Sequence, residues 1–148
     1  MSKDHLCAEC GAPLAARTFV RRTRVGRYKV DDGSQIVAVC AKGHPELDLN
    51  QLAEYERRAA AIVLSEAADI GGAEIKFARK ALGLTQVRLA ALLDVAPETI
   101  SRWETGAESM SRVSRLALLA VVRDAGALKR LESNEPAKVA EVLRVRAA

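Results

Sequence analysis

Apolar residues recur at helical spacing through most of the chain after about Asn50. The clearest segment is NQLAEYERRAAAIVLSEA, residues 50–67. The apolar stripe of the helix predicted there consists of Leu52, Tyr55, Ala59, Ile62 and Val63. Asn50 is a suitable N-terminal cap, because its side chain can accept a hydrogen bond from a free backbone N–H of the first turn. The pattern therefore predicts a long amphipathic helix in the middle of the chain.

The first fifty or so residues follow a different pattern, with β-branched runs separated by turn residues. The segments typical of strands are RTFVRRTRV (17–25), RYKV (27–30) and QIVAVC (35–40). The segment DDGS, residues 31–34, is a turn signal between the last two. These elements predict a small twisted sheet whose last strand ends at Cys40.

Gly71 and Gly72 interrupt the helical pattern and divide the chain into two predicted domains. The first, residues 1–68, is a small sheet followed by the linking helix. The second, residues 69–148, is helical throughout and ends in a helix over 135–146 with Pro136 in its first turn. The predicted fold class is therefore mainly α, with a small α+β domain at the N-terminus.

Charge and hydropathy narrow the possible partners. The 148 residues include 23 basic and 19 acidic side chains, for a net charge of +4. This mild excess is compatible with nucleic acid as a partner without requiring it. No apolar run approaches the roughly 18 residues of a membrane helix, and the polar start MSKDH is unlike a secretory signal. We therefore expect a cytoplasmic protein with no membrane partner.

The three cysteines indicate a metal site in the N-terminal domain. An odd number argues against a disulfide framework, and a close cysteine pair in a reducing compartment indicates metal or redox chemistry. Cys7 and Cys10 form a C-x2-C pair, and Cys40 and His44 form a C-x3-H pair. Three thiolates and one imidazole would make a closed tetrahedral zinc site. Such a site would contribute folding free energy to a domain too small to fold unaided.

Alternatives exist for the fourth ligand and for the chemistry. His5 is a rival to His44, and Asp48 is a more distant one. A thioredoxin-like use of the CAEC segment is less favoured, because no βαβ pattern surrounds it. A site closed by four protein ligands leaves no coordination place for a substrate, and no nucleophile–base pair stands out in the sequence. We therefore expect a structural zinc ion and no enzyme activity.

The segment LTQVRLAALLDVAPETISRWETG, residues 84–106, is typical of two short helices joined by a tight turn. Thr85 can cap the first helix, and Pro97 is suited to the first turn of the second. Gly106 can end the second helix in a left-handed conformation. Ile100 and Trp103 then share one face of that helix, and we expect both to be core residues.

The opposite face of the second predicted helix is polar. Glu98, Ser101 and Arg102 lie on it, and reading the major groove requires a rigid helix with such residues in its N-terminal half. Backbone N–H groups at the start of the preceding helix would hold a phosphate. The candidate DNA-binding residues are Thr85, Gln86, Arg88, Pro97, Glu98, Ser101, Arg102 and Arg112, with Arg79 and Lys80 as further candidates for phosphate contacts.

The segment KALGLTQVRLAALLDVAPETISRWETG resembles the Xre family of helix-turn-helix domains, which is related to the lambda and 434 repressors. The resemblance covers about residues 73–125. It implies a five-helix bundle that binds a palindromic operator in double-stranded DNA as a homodimer. Ala96 stands where the family usually has a serine or asparagine cap, and Met110 stands where a proline is common.

The whole chain resembles the MqsA antitoxin family, in which a zinc-bound N-terminal domain, a linking helix and an Xre domain follow one another. In that family an asparagine and an arginine of the recognition helix read bases. Arg102 matches the arginine, whereas Glu98 occupies the asparagine position, which implies a different operator sequence. The family's fourth zinc ligand is a cysteine, and Gly43 stands where a second C-x2-C pair would place it.

The leading hypothesis is a sequence-specific DNA-binding regulator that represses its own promoter and is the antitoxin of a type II toxin–antitoxin system. One alternative is a stand-alone zinc-containing regulator without a toxin. Another is an N-terminal domain that binds a different protein partner. A homodimer could form through the apolar side of the last helix, which alternatively packs within its own subunit. Its residues are Val139, Val142, Leu143 and Val145, with Leu128 and Leu131 as further members.

Overall fold

The computed structural model describes residues 5–124 and 126 of the chain. Within them five strands precede five helices. The strands are β1 (Leu14–Thr18), β2 (Arg21–Val25), β3 (Tyr28–Asp32), β4 (Ile36–Cys40) and β5 (Pro45–Glu46). The helices are α1 (Leu49–Glu66), α2 (Gly72–Ala81), α3 (Gln86–Leu93), α4 (Pro97–Thr105) and α5 (Arg112–Arg123). The predicted β-rich N-terminal region and helical remainder are therefore both present.

The first four strands form a long antiparallel ribbon with a bend in the middle. β1 and β4 pair as far as Thr18 opposite Ile36, and β2 and β3 pair from Arg21 opposite Asp32. Residues 19–20 connect the paired segments on one side and residues 33–35 on the other, so the ribbon carries one extra residue at the bend. The prediction of a single strand over residues 17–25 is therefore wrong, because this segment crosses the bend.

The predicted central helix is confirmed as α1, but its cap is not Asn50. Asp48 accepts a hydrogen bond from the Gln51 backbone N–H at 2.7 Å, and the Gln51 side chain accepts one from the Asp48 N–H at 3.0 Å. This reciprocal capping box satisfies two backbone donors at once, whereas a cap at Asn50 would satisfy one. α1 therefore begins at Leu49, one residue earlier than the position predicted for the cap.

The ribbon packs on α1 through small apolar clusters. One of them consists of Val25, Val30, Ala59 and Val63. The other surrounds Tyr55, which is fully buried against Val37 and Val39 and donates its hydroxyl to the Phe19 carbonyl at 3.2 Å. Leu52 and Ile62, the remaining members of the predicted stripe, are half-buried. The apolar side of α1 is thus turned toward the ribbon, as its periodicity predicts.

Glu74 joins the turn of the β2–β3 hairpin to the start of α2. Its buried carboxylate accepts the backbone N–H of Arg27 at 3.0 Å and that of Gly71 at 2.7 Å. Burial acts to raise the pKa of Glu74, but these N–H groups outweigh it and hold the pKa below its usual value. Gly26 has a φ of +57°, and a Cβ there would overlap the Glu74 carboxylate. A side chain at this position would therefore displace the Glu74 carboxylate from its place beside the hairpin turn.

Two arginines strengthen the connection between α1 and α2. Arg27 forms an ion pair with Asp69, and the Tyr28 hydroxyl donates to the Asp69 carbonyl at 2.7 Å. From α5, Arg115 donates to the carbonyls of Leu64 at 2.8 Å and Ala67 at 2.6 Å, at the negative end of α1. The predicted domain boundary between residues 68 and 69 lies among these contacts, and the division at that point stays a prediction.

The four later helices share an apolar core with α1. Its buried members include Leu64, Ile75, Leu89, Ile100, Trp103 and Leu118. The predicted interruption of the helical pattern near Gly71 and Gly72 is confirmed, because α1 ends at Glu66 and α2 begins at Gly72. Gly72 also lies against the backbone carbonyl of Glu104, where a Cβ would have no room. The absence of a side chain at Gly72 lets the start of α2 pack closely against the end of α4.

Part of the predicted C-terminal domain lies outside the described residues. α2 to α5 account for four helices of the expected five-helix bundle. The helix predicted over 135–146, together with its dimer residues Val139, Val142, Leu143 and Val145, falls beyond them.

Candidate functional site

The four predicted metal ligands meet at one end of the ribbon. The ligand atoms of Cys7, Cys10, Cys40 and His44 all lie within 4.8 Å of one another. Cys10 Sγ is 3.7 Å from Cys40 Sγ, and Cys7 Sγ is 3.8 Å from His44 Nδ1. None of the three cysteines is in a disulfide. The loop before β1 thus supplies two ligands, and the end of β4 and the loop that follows it supply one each.

These distances suit a tetrahedral metal ion. With Zn–S bonds of about 2.3 Å, two thiolates of a regular tetrahedral site lie about 3.8 Å apart. The observed separation of 3.7 Å between Cys10 Sγ and Cys40 Sγ agrees with this value. Cys7 and Cys40 are buried, and Cys10 and His44 are half-buried. The cluster can bind a metal ion, and three thiols with one imidazole are donors that zinc prefers.

Both ligand loops are closed by a glycine in the left-handed conformation. Gly11 has a φ of +68° and donates its N–H to the Cys7 carbonyl at 2.8 Å. Gly43 has a φ of +87° and donates its N–H to the Cys40 carbonyl at 2.9 Å. Gly43, where a second C-x2-C pair would have a cysteine, therefore shapes the loop that carries His44 into the cluster.

The backbone around Cys40 favours its thiolate form. The His44 backbone N–H donates to Cys40 Sγ at 3.4 Å. Burial acts to raise the pKa of this thiol, but the N–H groups of His44 and Lys42 outweigh it and lower the pKa to about 7. A thiol with such a pKa readily releases its proton when its sulfur binds a metal ion.

Glu9 belongs to this site, although it was not among the residues predicted from the sequence. Its Oε2 lies 3.6 Å from Nε2 of His44, while the other ring nitrogen, Nδ1, faces Cys7. Histidines that ligate metals usually direct the second ring nitrogen at a carboxylate or carbonyl, which fixes the ring and its tautomer. The available signal was an acidic residue inside the C-x2-C loop.

The two rival ligands are placed elsewhere. His5 is exposed, lies outside the cluster, and accepts the Leu14 N–H through its backbone carbonyl at 3.1 Å. The Asp48 carboxylate is used in the capping box of α1. Among the candidates weighed from the sequence, His44 is the one that joins the three cysteines.

α3 and α4 are held at a fixed angle by a three-residue turn. Asp94 ends α3 with a φ of +54°, and the Val95 N–H donates to the Ala90 carbonyl at 3.0 Å. The Val95 side chain packs against the core of the helical half, and Ala90 is buried. The tight turn predicted between two short helices is therefore confirmed.

α4 has one side in the core and another in solvent. It begins with Pro97 and is ended by Gly106, which has a φ of +79°. Ile100 is 0% exposed and Trp103 is 4% exposed, so both predicted core residues are confirmed. Trp103 Nε1 is buried with no hydrogen-bond partner in the described part of the chain.

The other side of α4 carries the predicted base-reading residues. Pro97, Glu98 and Arg102 are exposed, and Ser101 is half-buried. Glu98 and Arg102 are one helical turn apart, so they lie on the same side. Their side chains are accessible to a partner that approaches this face.

The N-terminus of α3 is accessible too. Thr85 caps it as predicted, because its Oγ1 accepts the Arg88 N–H at 3.2 Å. The remaining N–H groups of a first helical turn have no intrahelical acceptor and can bind an anion. The Gln86 side chain, in contrast, points toward α4 and donates a hydrogen bond to Glu104 Oε2 at 2.9 Å. A phosphate would therefore meet the backbone here.

Arg79, predicted as a phosphate contact, lies instead in a buried ion pair. Its side chain is 11% exposed and that of its partner Glu104 is 5% exposed. Arg79 also donates to the Leu84 carbonyl at 2.8 Å. Burial acts to raise the pKa of Glu104, but hydrogen bonds from Arg79 and Gln86 outweigh it and lower the pKa. The missed signal was the helical spacing, which puts Arg79 one turn after buried Ile75.

The remaining basic candidates are on the surface. Lys80 and Arg88 are exposed, and so is Arg112, the first residue of α5. Contacts of these residues with phosphates stay predictions.

Comparison with known families bears on the part of the chain that contains α3 and α4. A helix-turn-helix family model matches residues 75–122. The match runs from α2 into α5 and includes both α3 and α4. A helix-turn-helix is a DNA-binding regulatory domain rather than an enzyme family, and its second helix lies in the major groove. No curated protein shows a significant match to the chain.

The helices α3 and α4 and the tight turn between them all lie inside the matched range. No helix in the described residues has both the length and the apolar character needed to cross a membrane.

Proposed function

We propose that the protein is a sequence-specific regulator of transcription that reads double-stranded DNA with the exposed side of α4. The supporting observation is that one side of this helix is buried in the core and another side is exposed. Ile100 and Trp103 anchor it in the core, while Glu98 and Arg102 remain exposed on another side. A helix held rigidly in this way fits the major groove, which is about 12 Å wide.

Phosphate contacts would set the orientation of the helix. The free N–H groups at the start of α3, next to Thr85 and Gln86, are suited to one phosphate. Pro97, Arg88 and Arg112 are the further candidates for contacts with the backbone of the duplex. Such contacts position the protein without reading sequence.

Arg102 is the proposed reader of a guanine. A guanidinium can donate two parallel hydrogen bonds to O6 and N7 of this base, and such a pair contributes about 1–3 kcal/mol of discrimination. Ser101 can donate to or accept from a neighbouring base. Sequence preference would thus come from the first two turns of α4.

A structural zinc ion is the second part of the proposal. Cys7, Cys10, Cys40 and His44 would hold it, and the bound ion would supply folding free energy to the end of the ribbon. Four protein ligands leave no open coordination position, which agrees with a regulator that is not an enzyme. Glu9 would hold the His44 ring in the orientation that presents Nδ1 to the metal.

The resemblance to the MqsA antitoxins supports a finer proposal. On this basis the protein acts as a homodimer on a palindromic operator, represses its own promoter and binds a cognate toxin. A toxin reading frame beside the gene, whose product copurifies with this protein, is the expected result. An isolated gene would favour the stand-alone regulator, and copurification of another protein would favour a different role for the N-terminal domain.

A gel-shift assay on the DNA upstream of the gene tests the proposed function. Arg102→Ala should weaken binding by about 5- to 150-fold, the equivalent of the 1–3 kcal/mol above. Arg17→Ala is the matched control, because it removes an equal charge from an exposed position on β1. Equal binding by the two variants would remove Arg102 as the reader. Failure of the unaltered protein to bind any duplex would reject the function.

A further inference from the structure

Glu98 is an acidic residue on the surface proposed to face DNA. It is the second residue of α4 and is exposed, and the described part of the chain gives its carboxylate no hydrogen bond or ion pair. The other acid of α4, Glu104, is in the buried pair with Arg79. The Glu98 carboxylate is therefore available to whatever this face contacts.

A carboxylate in the major groove is selective because it can only accept hydrogen bonds. Duplex DNA carries one negative charge per roughly 1.7 Å of its axis, so an acid that finds no donor there weakens binding. Guanine and thymine present only acceptors or a methyl group in this groove. Adenine has an amino group next to its N7 acceptor, which would repel a carboxylate. Cytosine presents its N4 amino group without such an acceptor.

We propose, on the basis of the DNA-reading function above, that Glu98 selects a cytosine close to the guanine read by Arg102. Four residues separate the two side chains along α4, which corresponds to about 6 Å of helix rise. Base pairs are stacked about 3.4 Å apart, so the two contacted bases are within about two steps of each other. The guanine and the cytosine are therefore expected within about two base pairs of each other in the half-site.

Glu98 also sits where it can interact favourably with the positive end of the α4 dipole. Ala96, the capping residue, provides no side-chain hydrogen bond at this end. If Glu98 only stabilised the helix, its replacement would make the protein less stable without changing which bases the protein prefers. The test therefore compares base preference as well as stability.

Selection of bound duplexes from a random library, carried out with full-length protein, separates these roles. The unaltered protein should enrich a cytosine at one half-site position. Glu98→Gln should shift the preference there toward adenine, because an amide pairs with adenine N6 and N7. Glu98→Ala should lose the preference. Glu56→Gln, at an exposed position of α1, is the matched control and should leave every base preference unchanged.

Affinity measurements on the selected site give the size of the effect. For each protein, the affinity for the cytosine-containing site is divided by the affinity for a duplex with adenine at that position. This ratio should be at least fivefold lower for Glu98→Gln than for the unaltered protein. Enriched sequences that are the same for the unaltered protein and Glu98→Gln would overturn the role of Glu98 and leave the regulator intact. Absence of any enriched sequence with the unaltered protein would overturn both.

Discussion

Arg79 and Glu104 form a bidentate ion pair that ties α2 to the last turn of α4. Arg79 Nε is 2.5 Å from Glu104 Oε1, and its Nη2 is 3.1 Å from Oε2. Gln86, at the start of α3, donates to the same carboxylate at 2.9 Å. Three helices therefore meet at one buried charge pair, and the orientation of α4 depends on it.

Removing one partner of this pair should destabilise the protein strongly. Arg79→Met or Glu104→Gln should each lower the free energy of unfolding by about 3–5 kcal/mol, because the remaining group is left buried without its partner. Urea denaturation at pH 7 measures the loss. The double variant Arg79→Met, Glu104→Met should be more stable than Arg79→Met alone, since no buried charge remains. Losses below about 1 kcal/mol for both single variants would contradict a structural role for the pair.

Local patterns predicted α3 and α4 well. Thr85, Pro97 and Gly106 have the backbone roles expected of them, because capping and turn preferences depend on neighbouring residues only. The Arg79–Glu104 pair was not predicted, since its partners are 25 residues apart in sequence. An arginine on the buried stripe of α2 signalled a need for a partner but did not identify it.

Acid should weaken the fold through its buried carboxylates. Asp32, Glu74 and Glu104 all have pKa values below their ordinary values of 3.8 for Asp and 4.5 for Glu. In each case burial opposes the shift and hydrogen bonds from nearby donors outweigh it. Because the folded pKa values are depressed, this stability is present above the ordinary pKa values and is lost as the pH falls through the folded ones.

The contribution of Glu74 can be isolated by comparison with Glu74→Gln. The unaltered protein should be the more stable of the two at pH 7, and the difference in unfolding free energy should narrow below about pH 4.5. Urea denaturation of both proteins across this pH range provides the measurement, and the acid sensitivity of any bound metal cancels in the difference. A difference that stays constant down to pH 3 would show that the Glu74 carboxylate does not hold the hairpin through its charge.

The fit between Gly26 and Glu74 predicts unequal effects of two glycine substitutions. Gly83 has a φ of +68° and open space around it, so Gly83→Ala should cost only the strain of a left-handed alanine, about 1–2 kcal/mol. Gly26→Ala should cost more, because the new Cβ displaces the Glu74 carboxylate from the Arg27 N–H. Chemical denaturation compares the two, and equal losses would argue against a tight joint between the hairpin and α2.

Purified protein should contain one zinc ion per chain, measured by elemental analysis. Cys40→Ser should lose the ion, because a ligand is removed from a closed site. Glu9→Gln should keep the stoichiometry but bind zinc about 10- to 100-fold more weakly in competition with a chromophoric chelator. Glu46→Gln, at an exposed position of β5, is the matched control. Zinc affinity of Glu9→Gln equal to that of the control would exclude Glu9 as the partner of His44.

The metal cluster was predictable in its ligands but not in its surroundings. Cys7, Cys10 and Cys40 stood out by spacing, and the structure brings His44 rather than His5 to them. The position of Glu9 beside the ring depends on how two distant loops meet, which spacing alone does not give.

The bends and joints of the N-terminal half were the least predictable part. Segment 17–25 has strand-forming residues throughout, so nothing local marks the bend at 19–20. Asp48 and Asn50 are comparable helix caps, and Asp48 prevails because Gln51 completes a capping box. The Glu74 joint depends on the hairpin turn reaching α2, which is a consequence of packing on α1.

Methylation interference with dimethyl sulfate tests most directly whether α4 enters a major groove. The reagent methylates guanine at N7, which lies in the major groove, and adenine at N3, which lies in the minor groove. Methylation of one or a few half-site guanines should block binding of the unaltered protein, and Arg102→Ala should lose its sensitivity at one of them. Interference confined to adenines would contradict insertion of α4 into the major groove. The same guanine sensitivity in both proteins would contradict Arg102 as the reader.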